Sequence, residues 1–254
     1  MSESGVAHSA DTGADDVDGL VAAQTSPLVV VDRGKARIVV FNRPQARNAL
    51  TRDMRRALAV VLAEADAEES VASLIVTGAG GVFCAGVDIK ESRAEPAAMV
   101  RPHPGEALRA LSKPVIAAVD GPCITGGLEI ALSCSFIIAT RRARFADTHA
   151  KVGVFPAWGM TALLPRAVGV RRARQMMLTA APIEAATALD WGLVNELVDP
   201  PALLARALQL SAAMADLDPH LLSRELALVN RHAAVEDALV AEAEAAARWR
   251  AEKG

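Results

Sequence analysis

The chain reads as an α/β protein with a C-terminal helical region, and three observations carry that reading. Apolar runs of strand length, Ser73–Thr77 and Val115–Val119, are each followed by a glycine-bearing loop and then by a helix-patterned segment. Beyond about Pro200 the chain is rich in Ala, Leu, Glu and Arg and offers no convincing strand. With 254 residues, 52% of them hydrophobic and 22% charged, it is long and apolar enough to bury a full core.

In chain order, residues 1–26 hold Glu3, Asp11, Asp15, Asp16 and Asp18 with no Lys or Arg, and read as a disordered acidic tail. They lack the positive n-region and apolar run of a signal peptide and the arginines of a transit peptide. Order is expected from Pro27, with Leu28–Val31 and Ala36–Phe41 as a hairpin about Asp32-Arg33-Gly34-Lys35. Thr51 is placed to cap a helix in which Met54, Leu58, Val61, Leu62 and Ala65 recur at helical spacing.

After the strand Ser73–Thr77, a second unit runs through Val115–Val119, the turn Gly121–Gly127 and the helix Leu128–Ser133. Phe136–Ala139 and Ala143–Ala146 read as strands, and helical patterns dominate from Thr161, with Pro182 at a helix start and Trp191-Gly192 at a helix end. Residues 27–199 are thus expected to form the core, and 200–254 two or three helices serving as an assembly region.

Charge narrows the function. The formal net charge is -3, and without residues 1–26 the chain carries 27 basic against 25 acidic side chains, so no nucleic-acid partner is expected. No window approaches the ~18 apolar residues of a membrane span. Cys84, Cys123 and Cys134 form no C-x-x-C pair, which argues against a disulfide framework or a zinc site and makes a reducing cytoplasm the default.

Two segments stand out for chemistry: Phe83-Cys84-Ala85-Gly86-Val87-Asp88-Ile89-Lys90-Glu91 and Gly121-Pro122-Cys123-Ile124-Thr125-Gly126-Gly127-Leu128-Glu129. Each follows an expected strand and opens an expected helix, where the first N–H groups lack internal partners and the macrodipole favours negative charge. Two such ends meeting would form an oxyanion hole, whereas glycines that only permit tight turns would look the same. Glu129 sits among Leu128, Ile130, Ala131 and Leu132, an unusual setting for a carboxylate unless it faces water.

Both segments resemble the two signatures of the enoyl-CoA hydratase/isomerase (crotonase) family, in its order and separation. The resemblance runs from about Leu28 to the C-terminus and takes in Asn42-Arg43-Pro44, Asn48-Ala49-Leu50 and the stretch from Gly153 to Gly169. It implies a spiral of ββα units, an acyl-CoA thioester substrate and a place in fatty-acid β-oxidation. It also implies a homotrimer or dimer of trimers. No metal or cofactor is implied beyond the coenzyme A of the substrate itself.

By the same resemblance Val87 and Gly126 supply the oxyanion N–H groups, Ala85, Asp88, Ile89 and Lys90 contact the substrate, and Glu129 matches the first catalytic glutamate. The chain departs from the pattern at the second glutamate, whose position is taken by His149 in Asp147-Thr148-His149. An imidazole titrates near neutrality and can serve there as proton donor, or it can be structural. The activity implied is hydration of an enoyl-CoA. An enoyl-CoA isomerase, an acyl-CoA lyase or hydrolase, and a non-catalytic acyl-CoA-binding protein remain as alternatives.

Other classes fit poorly. Val76-Thr77-Gly78-Ala79-Gly80-Gly81 lacks G-x-G-x-x-G spacing, the chain has no tyrosine for a short-chain dehydrogenase, and G-x-S-x-G never occurs. Arg141-Arg142…Arg144 and Arg171-Arg172…Arg174 read as solvated faces. Neither Cys84 nor Cys123 has the basic partner of a nucleophile.

Overall fold

A computed structural model describes residues 5–94, 99–230 and 233–253. Its centre is a sheet of seven strands in the order β1-β2-β3-β4-β5-β7-β10. These are β1 (Val6–Ser9), β2 (Leu28–Arg33), β3 (Ala36–Phe41), β4 (Ser73–Gly78), β5 (Val115–Val119), β7 (Phe136–Thr140) and β10 (Glu196–Val198). All neighbours pair in parallel except β2 and β3, the expected hairpin. A smaller sheet joins β6 (Pro122–Ile124), β8 (Arg144–Ala146) and β9 (Ile183–Glu184).

The helices are α1 (Val17–Val21), α2 (Arg52–Ala67), α3 (Ile89–Ala94), α4 (Pro104–Arg109), α5 (Gly126–Ser133) and α6 (His149–Val152). They continue with α7 (Met160–Val168), α8 (Val170–Thr179), α9 (Ala185–Asp190), α10 (Leu203–Ala215), α11 (Pro219–Asn230) and α12 (Ala233–Lys253). A ββα unit is visible in β5-β6-α5 and again in β7-β8-α6: one strand joins the large sheet, the next joins the small one, and a helix follows. β4 begins a third turn of this spiral, in which Cys84 alone bridges to Cys123 before α3 starts.

Alternation within the strands sets the two faces of the large sheet, since successive side chains point to opposite sides. Leu28, Val30, Val39 and Phe41 enter the core shared with α2, α5 and α7, whereas Val29, Val31, Ile38 and Val40 enter a second core under α1 and α10. Thr51 caps α2 as expected, its Oγ1 accepting the Met54 N–H at 3.2 Å, and the whole expected apolar stripe of α2 is buried.

Two expectations are corrected. Residues 1–26 were expected to be a disordered acidic tail; from Gly5 onward they form β1 and α1, with Leu20 and Val21 buried. Their acids act locally: Asp16 caps α1 by accepting the Gly19 N–H at 2.8 Å, Asp18 accepts the Gly80 N–H at 2.6 Å, and Asp11 pairs with Arg33.

Nor is 200–254 purely an assembly region outside a 27–199 core. Leu203, Leu204 and Ala207 of α10 pack on the sheet, and Ser211 Oγ meets Ser73 Oγ at 2.7 Å. This strand-poor segment supplies a layer of the core, because a parallel sheet needs helices on both faces. No residue of α11 is buried, and its Leu221, Leu228 and Val229 are exposed. Among the described residues no helix is long and apolar enough to cross a membrane.

Candidate active site

The two glycine loops are joined by main-chain hydrogen bonds. Cys84 N–H donates to the Pro122 carbonyl at 3.2 Å and Ile124 N–H to the Cys84 carbonyl at 2.9 Å. On the other side of the first loop, Leu50 N–H donates to Gly86 O at 2.8 Å and Asp88 N–H to Leu50 O at 3.0 Å. That parallel bridge turns the Val87 N–H away from Leu50, and it has no protein acceptor among the described residues. The Gly126 N–H opens α5, where no helical acceptor exists.

Glycine is sterically required where the loops touch. A Cβ on Gly86, whose φ is +89°, would stand 2.8 Å from the Gly126 nitrogen, and one on Gly127 would stand 2.2 Å from the Cys84 carbonyl oxygen. The two segments therefore converge, which tight turns alone would not require.

Glu129, on the first turn of α5, is 2% exposed. Its Oε1 accepts the Trp158 N–H at 2.8 Å and the Met160 N–H at 3.2 Å, while Oε2 lies 3.5 Å from His149 Nε2. The other ring nitrogen of His149, Nδ1, lies 2.6 Å from Asp147 Oδ1, and the same oxygen accepts the His149 N–H at 3.0 Å. His149 thus stands between two buried carboxylates. Burial works against its charge, but hydrogen bonding to Asp147 and Glu129 prevails and raises its pKa to about 9.

Glu129 and His149 share a cleft of about 710 Å³ with Val87, Ile89, His103 and Trp158. Ala85, Asp88 and Lys90 do not line it. The Ala85 N–H is bonded to Arg47 O, the Asp88 carboxylate takes the Arg43 guanidinium and the amides of Lys90 and Glu91, and Lys90 is exposed. Burial pushes the Cys84 thiol up to about 12, and that of Cys123 well above its ordinary range, so both act as packing residues. Among the described residues no cluster of side chains is arranged to hold a metal ion.

Sequence reading missed a third buried carboxylate, Glu242, next to the site. Glu242 of α12 is 4% exposed and accepts the Gly159 N–H at 2.7 Å and the Thr161 N–H at 2.6 Å, in the same turn whose Trp158 and Met160 amides hold Glu129. Burial first, and then the nearby charge of Glu129, raise its pKa. Arg109 fixes that turn from below, donating to the Trp158 carbonyl at 2.8 Å. Glu242→Ala leaves buried N–H donors without acceptors and is expected to destabilise by about 2–4 kcal/mol; a melting temperature within a degree or two of wild type would contradict this.

Fold and cleft together define a protein of the crotonase-fold class. A family model described as enoyl-CoA hydratase/isomerase matches residues 34–252. A short-chain-enoyl-CoA hydratase of Clostridium acetobutylicum is 35% identical over 227 residues, 86% of this chain and 87% of that protein. A probable peroxisomal enoyl-CoA hydratase of Arabidopsis thaliana is 35% identical over 202 residues, covering 78% and 76%. Among solved structures, an enoyl-CoA hydratase from Mycobacterium avium superposes with a TM-score of 0.82 at 40% identity, over 89% of this chain and 98% of that one. The chain belongs to the enoyl-CoA hydratase/isomerase family.

Proposed function

We propose that the chain is an enoyl-CoA hydratase that adds water across the 2,3 double bond of an enoyl-CoA thioester. The single observation that carries this reading is the buried Asp147–His149–Glu129 array opening on the same cleft as Val87. The thioester carbonyl accepts hydrogen bonds from the Val87 and Gly126 N–H groups, which stabilise the enolate oxygen as charge develops on it. Glu129 takes a proton from water as its oxygen bonds to the β-carbon, and the π electrons move to the enolate. The α-carbon then takes the Nε2 proton of His149. Transfer of the Glu129 proton to the neutral imidazole, across the 3.5 Å gap, returns both groups to their starting states.

The reading uses Ile89 against the acyl thioester and exposed Lys90 toward the coenzyme A outside the cleft, while Ala85 and Asp88, bonded within the protein, hold the loop in place rather than contact substrate as expected. It calls for no other cofactor, because both proton transfers fall to side chains. A homotrimer or dimer of trimers would cover the apolar face of α11, and a reducing cytoplasm suits three free thiols.

The test is hydration of crotonyl-CoA, followed as loss of enoyl absorbance. Turnover supports the reading. Isomerisation of a 3-enoyl-CoA without hydration would replace it with an isomerase, and thioester binding without either reaction would leave an acyl-CoA-binding protein.

A further inference from the structure

The first turn of α2 brings Arg52 and Arg55 to the cleft wall, beside Ile89 and Val100. Arg55 is 8% exposed, and burial holds its guanidinium below the ordinary arginine value. Its Nε donates to the Thr51 carbonyl at 3.3 Å. The carboxylate facing it, Glu91, reaches only to 3.8 Å from Nη2, outside hydrogen-bond range, and that same oxygen already accepts the Arg52 N–H at 2.8 Å. Arg55 is thus held by a long ion pair to Glu91 and one backbone carbonyl, its remaining Nη donors are not fully buried, and the residue lines the cleft.

Of the other basic groups on that wall, Arg52 donates to the Glu91 carbonyl at 3.2 Å, and Arg250 reaches the cleft from α12. Arg101 is paired with Glu106, and burial keeps His103 uncharged near neutrality, its pKa about 4. Val100, Val154, Phe155 and Ala246 are apolar. A planar fork of donors in such a wall matches a carboxylate, which it can bind bidentately. The phosphates of coenzyme A are a poorer match, because multiply charged, strongly hydrated groups are costly to bury.

Position favours the acyl end too. Leu50 is bridged to Val87, and Arg55 stands in the first turns of the helix that opens two residues after Leu50, lining the same cleft as Val87 and Ile89. A thioester carbonyl at Val87 and an anionic group at Arg55 would then occupy one cleft.

We propose that the cleft selects enoyl-CoA thioesters of short dicarboxylic acids, with the free ω-carboxylate docked on Arg55. This rests on the hydratase reading and names its substrate class.

Hydration by the full-length protein is measured with 2-hexenoyl-CoA and with the six-carbon 2-enoyl thioester bearing a terminal carboxylate. Wild type is expected to favour the carboxylate in kcat/KM. Arg55→Met should lower that value by about 10–100-fold for the carboxylate substrate and little for hexenoyl-CoA, with Arg55→Lys between. Equal losses on both substrates would assign Arg55 to coenzyme A or to structure and overturn the proposal, as would a wild-type preference for the neutral chain. Binding of unreactive adipyl-CoA and hexanoyl-CoA, by calorimetry, separates this from the hydratase reading. Tighter adipyl-CoA binding that Arg55→Met abolishes supports the site even in a protein that adds no water, and equal affinities reject it.

Discussion

Glu129→Gln is expected to lower crotonyl-CoA hydration by about 10²–10⁴-fold, the usual cost of removing a general base. The variant should keep its fold, because the amide oxygen of Gln can still accept the Trp158 and Met160 N–H groups that hold Oε1. What disappears is the carboxylate beside His149 Nε2, and with it the acceptor for the water proton. Activity within a few-fold of wild type, in a protein with an unchanged melting temperature, would remove Glu129 from the chemistry.

The second large effect concerns the alkaline limit of the reaction. Acting as acid, His149 must carry its proton, and its pKa of about 9 keeps it charged through neutrality, so kcat should fall as pH rises past about 9. Asp147→Asn removes the stronger of the two hydrogen-bonded carboxylates. It is expected to move that limb down by at least about one pH unit, with a larger loss at pH 8.5 than at pH 6. A merely structural Asp147 would lower activity equally at both.

Stability should follow the same group. Its folded value stands above the ordinary 6.5, so its contribution is full below about pH 6.5 and vanishes as pH climbs through about 9. Urea unfolding at pH 6 and pH 9.5 compares the two regimes, and the difference should shrink in His149→Ala.

The features legible in the sequence were those encoded locally. Gly86, Gly126 and Gly127 mark close main-chain approaches that follow from strand-loop-helix order, and Glu129 was conspicuous as an acid among apolar neighbours. Glu242 was not visible, because it lies in a charge-rich helix with no periodic apolar face, and only its contact with the Gly159–Thr161 turn explains its burial. Arg55 was equally hidden, appearing as one charge on the polar side of an amphipathic helix. Acid content makes residues 1–26 read as a solvated tail, since the parallel pairing of Val6–Ser9 with Leu28–Val31 depends on contacts across the chain that composition cannot report.

That pairing has a consequence for how the molecule behaves in company. β1 occupies one border of the seven-stranded sheet, so the apolar strand Leu28–Val31 sits inboard with both flanks engaged. Clip away the first two dozen residues, and Leu28–Val31 becomes an open rail of amides and carbonyls on which another molecule's strand can settle. The acidic segment is in this respect a guard against clumping, and a shortened chain would lose solubility before it lost its catalytic groups.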